Sequence, residues 1–89
     1  MLFEKVRCAE FDLEYFIFDD ENGRKGIEVV KTCYDGTVER AKVHSIAFSM
    51  QNARLLAGML ARGKVTPYGL DDVMMDLKDD DGFLFFEVV

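Results

Sequence analysis

Histidine, cysteine and excess positive charge are scarce in this 89-residue chain, and each scarcity closes off a class of chemistry. His44 is the only histidine. No local motif pairs it with a cysteine, a serine or a second ligand, so it reads as structural or solvated rather than catalytic. Cys8 and Cys33 are the two cysteines, without a CxxC spacing or a second pair to build a zinc site. Both fall in strand-like stretches, where a reduced thiol behaves as a small hydrophobe. Lysine and arginine number 11 against 17 acids, a net charge of −6. That balance argues against non-specific nucleic-acid binding, which depends on cations neutralising phosphates. No apolar run approaches the roughly 18–20 residues that span a bilayer. Met1-Leu2-Phe3-Glu4 has no basic leader or cleavage site, so a cytoplasmic protein without membrane contact is expected.

The acids that are present sit unevenly. Residues 1–64 carry ten cations and ten acids, whereas residues 65–89 carry one lysine and seven acids. The whole excess therefore lies in the last quarter. A calcium loop of the EF-hand kind needs acids at its first, third and fifth positions, a glycine at the sixth and Glu at the twelfth. With Gly82 at the sixth, Leu77 and Val88 fall at the ends; with Gly23 there, Phe18 and Val29 do. Both fail. No glycine-rich loop joins a strand to a helix, and Ser45 and Ser49 lack a nucleophile elbow. Nothing calls for a metal, a cofactor or an enzymatic role.

What the chain does have is a clear helical half. Ser49 is placed to cap a first helix running to Arg62, with Met50, Ala53, Leu56, Ala57 and Leu60 as its apolar stripe, widened by Leu55 and Met59. Gln51, Arg54, Gly58 and Arg62 form the stripe expected to face water. Gly63 suits the left-handed position past that helix, Thr66 the next N-cap, and Pro67 the first helical position. Val65 and Leu70 are placed for a hydrophobic staple. Leu70, Val73, Met74 and Leu77 then repeat with helical period, leaving Met75 off the stripe. The second helix should stop near Lys78, since Asp79–Asp81 oppose the negative end of its dipole.

The first half reads as sheet. Residues 1–8 alternate weakly, with Leu2, Val6 and Cys8 against Lys5 and Arg7, as an edge strand does. Phe11–Asp19 is an aromatic-rich strand. Asn22-Gly23 and Asp35-Gly36 are hairpin signals, and two-residue loops there set residue i against 45 − i and residue j against 71 − j. This register faces Phe16 to Val29, Phe18 to Ile27 and Tyr15 to Val30, and aligns Glu14, Lys31 and Arg40. One face collects Phe11, Leu13, Tyr15, Ile17, Val30, Tyr34, Ala41 and Val43, for the helices to cover. The other keeps an apolar group of Phe16, Phe18, Ile27 and Val29. Thr37–Phe48 is a third hairpin strand with room for a bulge, and Phe83–Val89 reads as a terminal strand.

The strand around Glu14-Tyr15-Phe16, the Gly26-Ile27-Glu28-Val29-Val30 strand and Val65-Thr66-Pro67 followed by Leu70 and Asp72-Val73 resemble a family of small uncharacterised Firmicutes proteins. The likeness spans residues 13–77. It implies a bacterial cytosolic protein and supplies no activity or site.

The expected fold is therefore α+β in a single domain, residues 1–89: an antiparallel meander of three or more strands, two short helices on one face, and a C-terminal strand. The expected function is a non-enzymatic interaction or regulatory module working through the apolar face of Phe16, Phe18, Ile27 and Val29. A homodimer built on that face, or an unidentified protein partner, would cover it. Two alternatives stand beside this. One is a small-ligand pocket between sheet and helices, lined by Tyr15, Tyr34 and Met59. The other is an acidic decoy presenting Asp71, Asp72, Asp76 and Asp79–Asp81 to a basic partner.

Overall fold

A computed structural model describes residues 1–20, 23–47 and 49–80. Four strands, β1 (Leu2–Arg7), β2 (Phe11–Asp19), β3 (Lys25–Cys33) and β4 (Val38–Ala47), precede α1 (Met50–Arg62), a 3₁₀ turn (Pro67–Gly69) and α2 (Leu70–Asp80). The sheet is an antiparallel meander in the order β1-β2-β3-β4. The fold is α+β, as expected. The expected C-terminal strand, Phe83–Val89, lies outside the described residues.

Both hairpins turn at the expected glycines, but through three-residue loops. The Asp20 N–H donates to the Arg24 carbonyl at 2.7 Å and the Gly23 N–H to the Asp20 carbonyl at 3.1 Å. At the next turn the Cys33 N–H donates to Thr37 at 2.8 Å and the Gly36 N–H to Cys33 at 3.0 Å. Gly23 and Gly36 adopt φ of +74° and +97°, a region that glycine enters without steric cost. The Asp35 carboxylate closes the second loop by accepting the Thr37 N–H at 2.9 Å.

The extra residue in each loop corrects the two-residue register by one position. Phe16 pairs with Glu28, Tyr15 with Val29 and Ile17 with Ile27. Val29 in turn pairs with Ala41, and Ile27 with Val43. A one-residue slip turns a strand over. Because both loops slip, the errors cancel between β2 and β4, and β3 alone is reversed. Ile27 and Val29 thus join Leu13, Tyr15 and Ile17 on the inner face, while Val30 faces outward between Glu14 and Arg40. Lys31 is likewise not in the Glu14–Arg40 row: it pairs with Leu13 and Glu39. Two irregularities bend the sheet. One lies between Leu2 and Glu4 in β1 and sets Leu2 opposite Phe16, away from the side of Val6. The other lets β4 run from Val43 to Ala47 while β3 runs from Ile27 to Lys25, the expected bulge.

The helices cover the inner face. Leu13, Tyr15, Ile17, Ile27 and Val29 pack with Ala53, Leu56, Ala57, Leu60, Ala61, Leu70 and Met74 in one buried cluster. The Ser49 hydroxyl caps α1 by accepting the Asn52 N–H at 3.2 Å. Gln51, Arg54 and Arg62 face solvent, as does Leu55. Gly58 is the exception in its stripe, half-buried beside Phe3.

The chain reversal after α1 corrects the glycine assignment. Gly63 is right-handed, at φ −83°, and Lys64 takes the left-handed position at φ +51°. The Lys64 N–H reaches Ala61 O at 3.1 Å and the Val65 N–H reaches Leu60 O at 3.0 Å. Those two bonds are the Schellman pattern. Thr66 sits in extended backbone before Pro67, without a side-chain cap bond. Leu70 is fully buried, Val65 and Val73 pack on the core and Met75 is exposed. Helix α2 continues to Asp80, two residues beyond the expected stop. An acid near a helix C-terminus costs only about 0.3–1 kcal/mol, too little to end a helix by itself.

Candidate interaction surface

The outer face of the sheet is set out in rows by the register. Leu2, Phe16, Glu28 and Lys42 form one row; Lys5, Glu14, Val30 and Arg40 form the next; Arg7, Asp12, Thr32 and Val38 form the third. Phe18 stands above the first row, opposite Gly26. Charges meet their opposites across strands at Lys5–Glu14, Arg7–Asp12 and Glu28–Lys42, and the Lys5 ammonium lies 3.7 Å from Asp12. Such exposed pairs add little stability, but they leave the face without strong net charge.

The apolar part of this face gathers at Leu2, Phe16, Phe18 and Val30, with Val38 apart in the third row. Val30 is only 5% exposed, Leu2 is 49% exposed, and the two phenylalanines are half-buried. Phe18 is held on three sides. Its ring occupies the space a side chain at Gly26 would need. The His44 ring meets it edge-on at 5.3 Å, and the Lys42 ammonium lies 5.5 Å from its centroid. His44 in turn places Nδ1 3.5 Å from the Asp20 carboxylate. This lone histidine therefore supports an aromatic side chain at the surface.

Of the four residues expected to form the surface, the structure brings Phe16 and Phe18 together and removes Ile27 and Val29 to the core, at 1% and 0% exposure. Leu2 and Val30 take their places. The signal for this was in β3 itself: Ile27 and Val29 share parity, and the charged Glu28 between them belongs on the wetter side.

Tyr15 and Tyr34, expected to line one ligand pocket between sheet and helices, lie apart. Tyr15 is fully buried, its hydroxyl donating to the Val65 carbonyl at 2.8 Å, so it lines no opening. Tyr34 is 63% exposed at the far turn, where its hydroxyl contacts Asp12 at 3.2 Å and the Cys8 carbonyl at 3.3 Å. A cleft of about 430 Å³ opens there, lined by Phe11, Lys31, Cys33, Tyr34, Glu10 and Asp35, not by Tyr15 or Met59. Lys31 in this cleft is already engaged, 4.6 Å over the Phe11 ring and 3.7 Å from Glu39. Cys8, just past the end of β1, and Cys33, the last residue of β3, are free and flank Phe11 from opposite sides. That separation, about 10 Å, exceeds the reach of a disulfide.

Among the described residues no three metal-ligating side chains come together, and no helix is long and apolar enough to cross a membrane. Asp71 and Asp72 are exposed in the first turn of α2, where they favour the positive end of its dipole. The side chains of the remaining acids proposed for a decoy surface lie outside the described residues. No protein-family model, curated protein or solved structure matches the chain.

Proposed function

We propose that the chain is a non-enzymatic interaction module whose contact surface is the outer sheet face centred on Leu2, Phe16 and Phe18, with a second copy of itself as the partner. The observation that carries this reading is the placement of both helices on the inner side, leaving two phenylalanines on a face that no described element covers. The mixed charge of that face suits a like surface, since Lys5, Arg7, Arg40 and Lys42 stand with Asp12, Glu14 and Glu28. A second copy brings both signs in the same pattern, and a two-fold arrangement closes the assembly. The small-ligand reading is weaker, because the lysine of the cleft is spent on Phe11 and Glu39. The resemblance to the small Firmicutes proteins supplies no activity to set against either reading.

Light scattering of the full chain at micromolar concentration tests the proposal. The native protein should have a dimer mass and Phe16→Asp a monomer mass, with far-ultraviolet dichroism unchanged. Should Phe16→Asp unfold, Leu2→Glu gives the same comparison at a more exposed position. A native monomer mass, unaltered by these changes, would overturn it.

A further inference from the structure

The sheet has two edges, and they differ. Strand β1 is interrupted by its bulge, whereas β4 pairs without a break from Val38 to Val43, and no described strand pairs with its far side, although the Pro67–Gly69 turn lies close to β4. The direction of its free groups follows from the ladder. Cys33 bonds to Thr37, and in an antiparallel pair bonded and non-bonded positions alternate. Glu39, Ala41 and Val43 therefore turn their N–H and C=O toward β3. Val38, Arg40 and Lys42 turn theirs outward, to an edge that no described strand pairs.

These outward-bonding residues also carry the cations. Arg40 and Lys42 are exposed on the outer face, and among the described residues neither makes an ion pair within 4.0 Å. Their inner-face neighbours Ala41 and Val43 are apolar and half-buried against the core. The edge thus presents a two-residue repeat: a cation with a free amide, then an apolar side chain with none. Lysine and arginine commonly guard an edge against like strands, and they do so here. Two-fold pairing of β4 with its own copy, centred at residue 40, 41 or 42, sets Arg40 or Lys42 beside another of these cations. The feature that disfavours a second copy at this edge is the one that favours an opposite pattern.

We propose that the β4 edge receives an extended peptide alternating acidic and apolar side chains, added as a further antiparallel strand. Acids at every second position lie beside Arg40 and Lys42, while the intervening apolar residues lie beside Ala41 and Val43. The peptide backbone bonds to Val38, Arg40 and Lys42. This site borders the Phe16 face and shares Arg40 and Lys42 with it, but its backbone bonds lie along the edge, and its test reads those amides and not the mass of the assembly.

Amide hydrogen exchange on the full chain tests it, with a blocked Glu-Val-Asp-Val-Glu-Val-Asp peptide as probe and a peptide with lysine at the acidic positions as control. Without peptide, the Val38, Arg40 and Lys42 amides should exchange quickly while those of Glu39, Ala41 and Val43 are protected. The acidic peptide should slow the first set and the lysine peptide should not. Arg40→Gln with Lys42→Gln should weaken binding by about tenfold, as two exposed cross-strand charge pairs would. Arg40→Pro removes an outward amide that the fold does not use, so it should keep the folded dichroism and bind more weakly than Arg40→Gln. Three results would overturn the proposal. These are protection of the Val38, Arg40 and Lys42 amides in the free chain, with the edge already taken; no protection of them at millimolar acidic peptide; and equal protection by both peptides.

Discussion

The Tyr15 hydroxyl donates to the Val65 carbonyl at 2.8 Å, fifty residues along the chain, and so ties the middle of the sheet to the reversal between the helices. Tyr15 is fully buried and paired with Val29, at the centre of the inner face. The bond satisfies the one polar atom on a side chain that otherwise serves the core.

Tyr15→Phe keeps the ring and removes the donor, leaving the Val65 carbonyl short of a partner. The expected loss is about 1–2 kcal/mol. Urea melts should show the midpoint falling with the slope unchanged, because no surface is newly exposed.

The same side chain makes stability fall in alkali. Burial, followed by the charges of Cys8 and Glu4, pushes the Tyr15 phenol from 10.0 up to about 12. Above pH 10 the unfolded chain gives up a proton that the folded chain retains, so the folded state binds more protons. This contribution is complete below pH 10 and is lost as pH rises toward about 12. Urea melts through that interval should show a steeper decline for the native chain than for Tyr15→Phe.

Lys64 holds a left-handed conformation that costs a non-glycine residue about 1–2 kcal/mol, while glycine carries an unfolded-state cost of roughly 0.4–1 kcal/mol. Lys64→Gly should therefore stabilise by about 0.5–1 kcal/mol. Gly63→Ala should also be tolerated, since Gly63 is right-handed and an added Cβ would meet Met59 O at 3.5 Å, ordinary contact. Thermal melts ranking Gly63→Ala as the harmful change and Lys64→Gly as neutral would contradict this cap.

Gly26→Ala should destabilise by about 1–3 kcal/mol, the usual cost of overpacking. The new Cβ would collide with the Phe18 ring and stand 2.7 Å from the Val43 carbonyl. In a Phe18→Leu background the loss should shrink without vanishing, since the carbonyl remains. A double-mutant cycle by urea melts measures that coupling.

Element types and order were legible because each rests on local chemistry: the Ser49 cap, the apolar stripe of Leu56 and Leu60, and glycines at both turns. The orientation of β3 was not. It depends on whether a loop holds two residues or three, and Asn22-Gly23 is compatible with either, since both loops place Gly23 at positive φ. That one count decided the candidate surface, separating Ile27 and Val29 from Phe16 and Phe18. The position of Lys64 was hidden for a related reason. Gly63 is the residue with the easier left-handed conformation, but the bonds from Lys64 and Val65 to the last turn of α1 place the cap one residue later.

Strand order that follows chain order has a consequence for synthesis. Every strand pairs with the one made just before it, so the sheet can assemble by the time residue 47 has emerged. Its cover arrives only with Ala53 through Met74. At about 5–20 residues per second, Leu13, Tyr15, Ile17, Ile27 and Val29 stay without their helical lid for roughly 1–5 s. During that interval the growing chain carries a sticky, half-finished layer, and the arrival of Met74 completes its cover.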